Sequence, residues 1–320
     1  MSTRYLLKRL AQALPAVALI LVLTFFLIHL APGDPAVALG GEHGDPGYYA
    51  LIRAKFGLDR PLSVQLLVYA RNVIGGDLGT SFVHGRPVIR VIAERLPATL
   101  LLMATALVLS TVAGVALGTI AARHVRRPAD LFLRSVALAG QAAPSFWLAQ
   151  GAILTLAIGT GLFPVQGLTD ARRVSTGFAH VADVARHLVL PALVLAAGEL
   201  ALTTRLVRAA LIEALGTDYV RTARAKGLPE RAVTRHALRN TLLPVVTLIG
   251  SRVGMLCAGA VLVESVFAWP GVGHLLLASL LARDYPMLLG IFLLVSVSVV
   301  LASLLTDLAC GWLDPRIRYE

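Results

Sequence analysis

Six long apolar stretches set the strongest constraint on how this chain folds. The chain is 57% hydrophobic and only 15% charged, with a mean hydropathy of +0.77, whereas a soluble domain carries roughly 25% charged residues. A helix of about 20 apolar residues crosses the hydrocarbon core of a membrane, and its backbone groups are all paired within the helix. We therefore predict an all-α membrane protein with six transmembrane helices. The predicted spans are residues 10–30, 98–122, 131–158, 188–210, 241–266 and 287–312.

Basic residues at the ends of these stretches predict their orientation. Arg123, Arg126 and Arg127 follow the second span, and a longer basic run separates the fourth span from the fifth. Short loops rich in Arg and Lys face the cytoplasm, so we expect both termini, residues 1–9 and 313–320, on that side. This distribution also accounts for the net charge of +11, and nucleic-acid binding is not expected.

The first span has a competing interpretation as a cleaved signal peptide. It is long for the apolar region of such a peptide, and the proline-rich Ala31–Pro35 that follows does not resemble a small-residue cleavage site. We therefore favour a retained helix over residues 10–30.

Residues 31–97 form a polar segment rich in glycine and proline, which we place outside the cytoplasm. Within it, Tyr48–Phe56 and Ser63–Ile74 are predicted to be short amphipathic helices, and Gly76–Ser81 is predicted to be a turn. Shorter outer loops follow the third and fifth spans, and the second of these contains the turn Phe267–Gly273.

Several residues inside the spans point to packing or to a translocation path. Gly114 and Gly118 form a pair of small residues four apart, a spacing that favours close helix contact. Pro144 is expected to bend the third span and to free a backbone carbonyl, which is tolerated beside a water-filled path.

Two charged residues lie near the middle of predicted spans, Glu199 in the fourth and Arg252 in the fifth. A single charge inside a membrane is expensive, so such groups pair with each other or face water. Our hypothesis is that Glu199 and Arg252 approach each other or that both line the translocation path. The alternative is that one or both reach the membrane interface.

The basic run between the fourth and fifth spans occupies residues 211–240 and is predicted to be a cytoplasmic loop. It is read as two short helices separated at Gly227–Pro229, because glycine permits a left-handed turn and proline begins a new helix. A structured basic loop of this kind suits a docking surface for a cytoplasmic partner. Attachment of its basic side chains to the anionic membrane surface is the alternative.

The sequence of this loop resembles the cytoplasmic coupling loop of ABC-importer permeases, specifically the B-type permease of the dipeptide, oligopeptide and nickel group. The general pattern of such importers is Glu-Ala-Ala, three residues and Gly. Gly227 and Ala223 match that glycine and the second alanine, whereas Thr222 and Arg221 stand at the first alanine and the glutamate. The segments that carry the resemblance are DYVRTARAKGL, RHALRNTLLPV, APSFWLA, FAWPGVG, ARDYP and LDPRIR.

The resemblance implies that Tyr219–Lys226 is a docking helix that binds a groove on an ATPase subunit. Ala223 and Ala225 would allow close approach of the partner, Gly227 would permit a sharp exit, and the basic side chains would form charge-assisted hydrogen bonds to acidic groups. The residues implicated in coupling are Tyr219, Arg221, Thr222, Ala223, Arg224, Ala225, Lys226 and Gly227.

The resemblance also implies the partners and the energy source. The chain contains no Gly-x-x-x-x-Gly-Lys-Ser/Thr phosphate-binding loop, so we expect a transport subunit that is not itself an enzyme and holds no cofactor or metal. ATP and Mg²⁺ would bind two partner ATPase subunits. A second homologous permease and an extracytoplasmic binding protein would complete an inner-membrane importer of di- or oligopeptides, nickel chelates or glutathione-like solutes. A secondary transporter driven by an ion gradient is the alternative.

Overall fold

The computed structural model describes residues 3–30, 34–41, 44–56, 58–172 and 176–313, and these ranges are mostly helical. No β-strand occurs within them; Thr80 and Pro87 form an isolated bridge. The predicted fold class, an all-α protein, is therefore confirmed. The α-helices of the described ranges are α1 (Thr3–Leu30), α2 (Pro35–Gly40), α3 (Pro46–Phe56), α4 (Leu62–Ile74), α5 (Val88–Arg123), α6 (Pro128–Ala142), α7 (Ser145–Ala152), α8 (Gly177–Leu215), α9 (Asp218–Ala225), α10 (Glu230–Val266), α11 (Val272–Leu281) and α12 (Tyr285–Leu313).

In the described part of the chain, three helices are long and apolar enough to cross a membrane: α5, α8 and the Tyr285–Thr306 portion of α12. Helices α5 and α8 contain the predicted second and fourth spans, and the Tyr285–Thr306 portion of α12 covers most of the predicted sixth span, residues 287–312. The predicted first and fifth spans lie within α1 and α10, and the third coincides with α6, α7 and the π-helical turn Ile153–Ile158 that follows α7. The C-terminal residues 314–320, which include most of the LDPRIR segment, lie outside the described residues.

Several helices begin well before the apolar runs that they contain. Helix α5 begins at Val88, α8 at Gly177 and α10 at Glu230, each about ten residues ahead of its predicted span. Hydrocarbon limits only the length of the apolar run, and backbone hydrogen bonding continues through polar residues beyond it. Pro97 and Pro191 lie inside α5 and α8 without ending them.

The third predicted span is interrupted where a bend was expected. Helix α6 ends at Ala142, and α7 begins at Ser145. Ala143 has extended backbone angles of φ −75° and ψ 131°, because the ring of Pro144 clashes with a helical conformation of the residue before it. Pro144 therefore separates two helices.

The chain divides into two compact units. The first consists of Leu100–Trp269 together with the end of α12 from Leu305. In this unit α8 packs against α6, α7 and α10. The pair of small residues on α5 permits close contact with α8, as predicted: a Cβ atom on Gly114 would lie 2.6 Å from the Thr203 Cβ, and one on Gly118 would lie 2.7 Å from the Thr204 carbonyl oxygen.

The second unit consists of the chain up to Thr99 together with Pro270–Leu304. Its core joins the first turns of α5 to α11 and to the beginning of α12. Helices α3 and α4 confirm the two predicted short helices, whereas α11 was not predicted, because its apolar sequence lies within the predicted outer loop. The buried core residues are Val88, Val91, Ile92, Val272, Leu275, Met287 and Ile291.

A buried carboxylate ties the predicted Gly76–Ser81 turn to this core. Asp284 is 0% exposed and accepts a short hydrogen bond from the Ser81 hydroxyl. It also accepts hydrogen bonds from the backbone N–H groups of Val83, at 3.4 Å, and Met287, at 3.3 Å. These bonds satisfy a charge that would be costly to bury without partners.

Replacing Gly118 by alanine is expected to destabilise the chain. Alanine favours an isolated helix over glycine by about 1 kcal/mol, but here the added methyl group would meet the Thr204 carbonyl oxygen, and overpacking costs about 1–3 kcal/mol. The matched control is Gly151→Ala in α7, where a Cβ atom would meet nothing within 4 Å. Fluorescence-detected size-exclusion chromatography after heating should give a lower apparent Tm for Gly118→Ala alone. Equal values for the two variants would contradict the close contact.

Candidate coupling site

Helix α9 is a separate short helix between α8 and α10, and the sequence sets its C-terminal end. Gly227 has φ +79°, in the left-handed region. Its N–H donates to the Arg224 carbonyl at 2.9 Å, and the Leu228 N–H donates to the Ala223 carbonyl at 3.3 Å, which is the hydrogen-bond pattern of a Schellman motif. Pro229 then caps α10. The break predicted at Gly227–Pro229 is confirmed.

The inner face of α9 packs on the same chain. Val220 is 0% exposed and Ala223 is 8% exposed. They join an apolar cluster with residues from the last turn of α5, the end of α8 and the first turns of α10, and this cluster holds α9 against the helices on either side of it. The buried members of this cluster are Ala122, Leu211, Val220, Ala223, Val233 and Ala237.

The outer face of α9 is exposed and basic. Arg221, Thr222, Arg224, Ala225 and Lys226 all lie on this surface or at its C-terminal end. The two predicted close-approach alanines are thus separated: Ala225 faces outward, whereas Ala223 approaches the chain's own helices.

Tyr219 lies at the edge between the two faces. Its ring contacts the His236 ring of α10 edge-on, with centroids 5.7 Å apart. Its hydroxyl is buried, and no partner for it is found among the described residues. The contact with His236 is a second attachment of α9 to α10, besides the apolar cluster.

An ion pair closes the turn between α9 and α10. Arg224 Nε donates to Glu230 Oε1 at 2.8 Å, and this hydrogen bond lowers the pKa of Glu230. Glu230 occupies the first turn of α10, where a negative charge also suits the helix dipole. Helix α10 continues for 37 residues to Val266, so the prediction of a second short helix in this loop is wrong: the helix that begins in the loop extends into the fifth predicted span.

A buried ion pair that the sequence analysis missed lies close to α9 along α8. Arg208 contacts Asp130 in a bidentate geometry, with Nε–Oδ1 and Nη2–Oδ2 distances of 2.7 Å. Asp130 is 3% exposed and also accepts a hydrogen bond from the Arg126 N–H at 3.1 Å. The pair fastens the beginning of α6 to α8. The sequence does contain a signal for this pair: an acidic residue stands in the first turn after Pro128, within an arginine-rich loop.

The charged residues predicted within spans are brought together. Glu199 of α8 and Arg252 of α10 lie 3.9 Å apart, between Oε2 and Nε, and their side chains are 15% and 25% exposed. Pro144 lies between α6 and α7. A role of these three residues in a translocation path stays a prediction.

Comparison with known families identifies the class of the chain. The family described as "Binding-protein-dependent transport system inner membrane component" matches residues 114–319, and the family of the N-terminal part of such membrane components matches residues 2–103. The chain belongs to this family. It is a permease component of an ABC importer in the cell membrane, which sets aside the alternative of a secondary transporter driven by an ion gradient.

Individual relatives match over the whole length of the permease. This chain is 39% identical to the dipeptide transport system permease protein DppB of Escherichia coli K12, over 99% of each chain. It is 38% identical to a putative peptide transport system permease protein of Brucella melitensis, over 100% of each chain. It is also 38% identical to the glutathione transport system permease protein GsiC of Escherichia coli, over 99% of each chain.

Removal of the buried carboxylate in Asp130→Asn is expected to destabilise the permease. The change leaves the Arg208 guanidinium without its charged partner, and hydrogen bonds to charged groups contribute on the order of 2 kcal/mol. The control is Glu230→Gln, which removes a negative charge from the exposed pair with Arg224 and should change the Tm little. Thermal unfolding of both variants in detergent measures the two Tm values. An equal decrease in Tm for both variants would contradict the distinction between buried and exposed pairs.

The effect of Asp130→Asn should depend on pH. Hydrogen bonds from Arg208 lower the pKa of Asp130 more than burial raises it. The contribution of the carboxylate to folding stability is therefore fully present above the ordinary aspartate pKa of about 3.9. It is lost as the pH falls through the lowered pKa of Asp130 in the folded protein. The difference in Tm between the wild type and Asp130→Asn should be constant near neutral pH and shrink in acid. A difference that grows on acidification would contradict this assignment.

Proposed function

We propose that this permease carries short peptides across the cell membrane, and that α9 is the element through which a partner ATPase drives it. The observation that carries the proposal is the two-faced attachment of α9. Val220 and Ala223 bury its inner face against α5, α8 and α10, while its basic outer face is left accessible. A partner that binds the outer face would therefore move the ends of these long helices together with α9.

The substrate class follows from the relatives. Dipeptides, peptides and glutathione are named for permeases that are 38–39% identical to this chain over nearly all of its length. All three are peptides or peptide-like solutes with charged termini. Short peptides are accordingly the first substrates to test, and nickel chelates are the next.

Six spans with both termini in the cytoplasm fit the positions of the helices. Besides the three sufficiently apolar helices, α1, the α6–α7 pair and α10 occupy the remaining predicted spans. This topology places α9 and the loop that contains Arg126 on the same side, where positive charge favours the cytoplasm.

The energy source in this proposal lies in partner subunits. Two ATPase subunits would hold ATP and Mg²⁺, a second homologous permease would complete the pathway, and an extracytoplasmic binding protein would deliver the peptide. Closure of the ATPases would displace α9, and the attached helices would alternate between states open to either side.

Charge reversal on the outer face of α9 is expected to abolish ATPase binding. In Arg221→Glu, an exposed cation that could pair with an acidic partner becomes an anion, and a like-charge contact in an interface costs several kcal/mol. Arg127→Glu makes the same change on an exposed residue of the loop after α5 and serves as the matched control. Affinity purification from gently solubilised membranes should recover the ATPase with the wild type and with Arg127→Glu, but not with Arg221→Glu.

Two outcomes would contradict this proposal. Recovery of the ATPase with Arg221→Glu at the wild-type level would exclude α9 as the contact. Purification of the wild type without any ATPase would argue against the energy source itself. The second permease should accompany all three forms, which shows that each variant has inserted and assembled.

A further inference from the structure

The contact between Glu199 and Arg252 differs in kind from the ion pair that joins α8 to α6. Arg208 and Asp130 form two hydrogen bonds of 2.7 Å. The Glu199 Oε2 to Arg252 Nε distance of 3.9 Å exceeds the 2.7–3.2 Å of a hydrogen bond between nitrogen and oxygen. The two charges attract each other, but this contact leaves their hydrogen-bonding capacity available to a third group.

The pair lies midway along two packed helices and is only partly buried. Both residues lie near the middle of their helices, α8 and α10. The two helices are already in close contact at Leu195 and Gly259, where a Cβ atom on the glycine would lie 3.2 Å from the leucine Cδ1. The side chains of Glu199 and Arg252 nevertheless remain 15% and 25% exposed, and a Cβ atom on the neighbouring Gly198 would meet nothing within 4 Å.

Such a pair matches the chemistry of a short peptide. At neutral pH the α-amino group of a peptide is largely protonated and its α-carboxyl group is ionised. A carboxylate side chain binds the ammonium group, and a guanidinium binds a carboxylate through two parallel hydrogen bonds. A zwitterion therefore offers each member of the pair a new partner of the correct charge.

We propose that Glu199 and Arg252 form a subsite of the permease that binds the two charged termini of a peptide, with Glu199 at the amino end and Arg252 at the carboxylate. This inference rests on the proposed function and specifies its substrate class as zwitterionic peptides with both termini unmodified. In the absence of peptide the two side chains neutralise each other, so that no single charge is left inside the membrane. When peptide binds, each side chain exchanges its partner.

The dimensions are consistent with this exchange. An extended dipeptide spans at most about 7 Å, which is longer than the 3.9 Å between the two charged groups. The Glu199 and Arg252 side chains must therefore separate to contact both ends. A pair without a hydrogen bond between its members separates at lower cost than the bidentate pair of Arg208 and Asp130.

Direct binding to the assembled transporter tests the subsite without the selectivity of the binding protein. The sample is the detergent-purified complex of the permease with its permease and ATPase partners. Equilibrium dialysis measures the binding of radiolabelled alanylalanine and its displacement by unlabelled alanylalanine, by the N-acetylated form and by the C-terminal amide. The wild type should prefer the unmodified peptide over either modified form by about tenfold or more, the ratio expected for the loss of one charge-assisted hydrogen bond.

The variants separate recognition of the two ends. Glu199→Gln should lose the preference over the N-acetylated peptide and keep the preference over the amide, and Arg252→Gln should do the reverse. The double variant Glu199→Gln with Arg252→Gln leaves no unpaired charge, so it should assemble normally and bind all three peptides alike. Asp130→Asn, which breaks the ion pair between α6 and α8, is the control and should keep both preferences.

Three results would overturn the subsite. The first is that the wild type binds no peptide at millimolar concentration. The second is that the single variants bind all three peptides equally more weakly. The third is that the double variant keeps the wild-type preferences. Uptake of alanylalanine by the complete transporter in proteoliposomes, with binding protein and ATP, distinguishes this failure from that of the proposed function. Uptake by the wild type with any of these three results overturns the subsite alone, whereas no peptide uptake by the wild type overturns peptide transport itself.

Discussion

The packing of α8 against its neighbours is the interaction on which the first unit depends. Helices in lipid gain little from the hydrophobic effect, so close van der Waals contact and polar pairs must hold them together. Helix α8 uses both means. It meets α5 at Gly118, where there is no room for a side chain, and it carries Arg208 and Glu199, which contact α6 and α10 through Asp130 and Arg252.

The ion pairs that join α8 to α6 and to α10 suit different tasks because their geometries differ. The pair of Arg208 with Asp130 is bidentate and buried, and it lies toward the end of α8 that leads into α9. A tight pair there would make α6 and α8 move as one body in the proposed displacement of α9. The pair of Glu199 with Arg252 is longer and partly exposed, so its members can exchange partners. The permease thus combines a fixed attachment near the proposed ATPase contact with an adaptable one along the proposed path.

Helix α9 owes its order to tertiary contacts. It has eight residues, and isolated helices shorter than about 12 residues are marginal in water. Burial of Val220 and Ala223 and the Schellman turn at Gly227 supply the missing stability. These contacts fix the position of the basic side chains on the outer face before any partner binds, which reduces the entropy that binding has to overcome.

The sequence by itself determined the helical class, the approximate position of the long helices and the break at Gly227. These features depend on local properties: the length of an apolar run, the charges that flank it and the backbone freedom of one residue. Only the tertiary structure showed that Ala223 faces inward while Ala225 faces outward, and that Asp130 pairs with Arg208. Burial and pairing depend on residues far away in the chain, and the sequence does not specify which of many charges will meet. Helices α8 and α10 extend beyond the spans predicted within them for a related reason. Hydropathy reports where lipid would begin, whereas a helix continues for as long as its backbone hydrogen bonds and its packing against neighbouring helices are maintained.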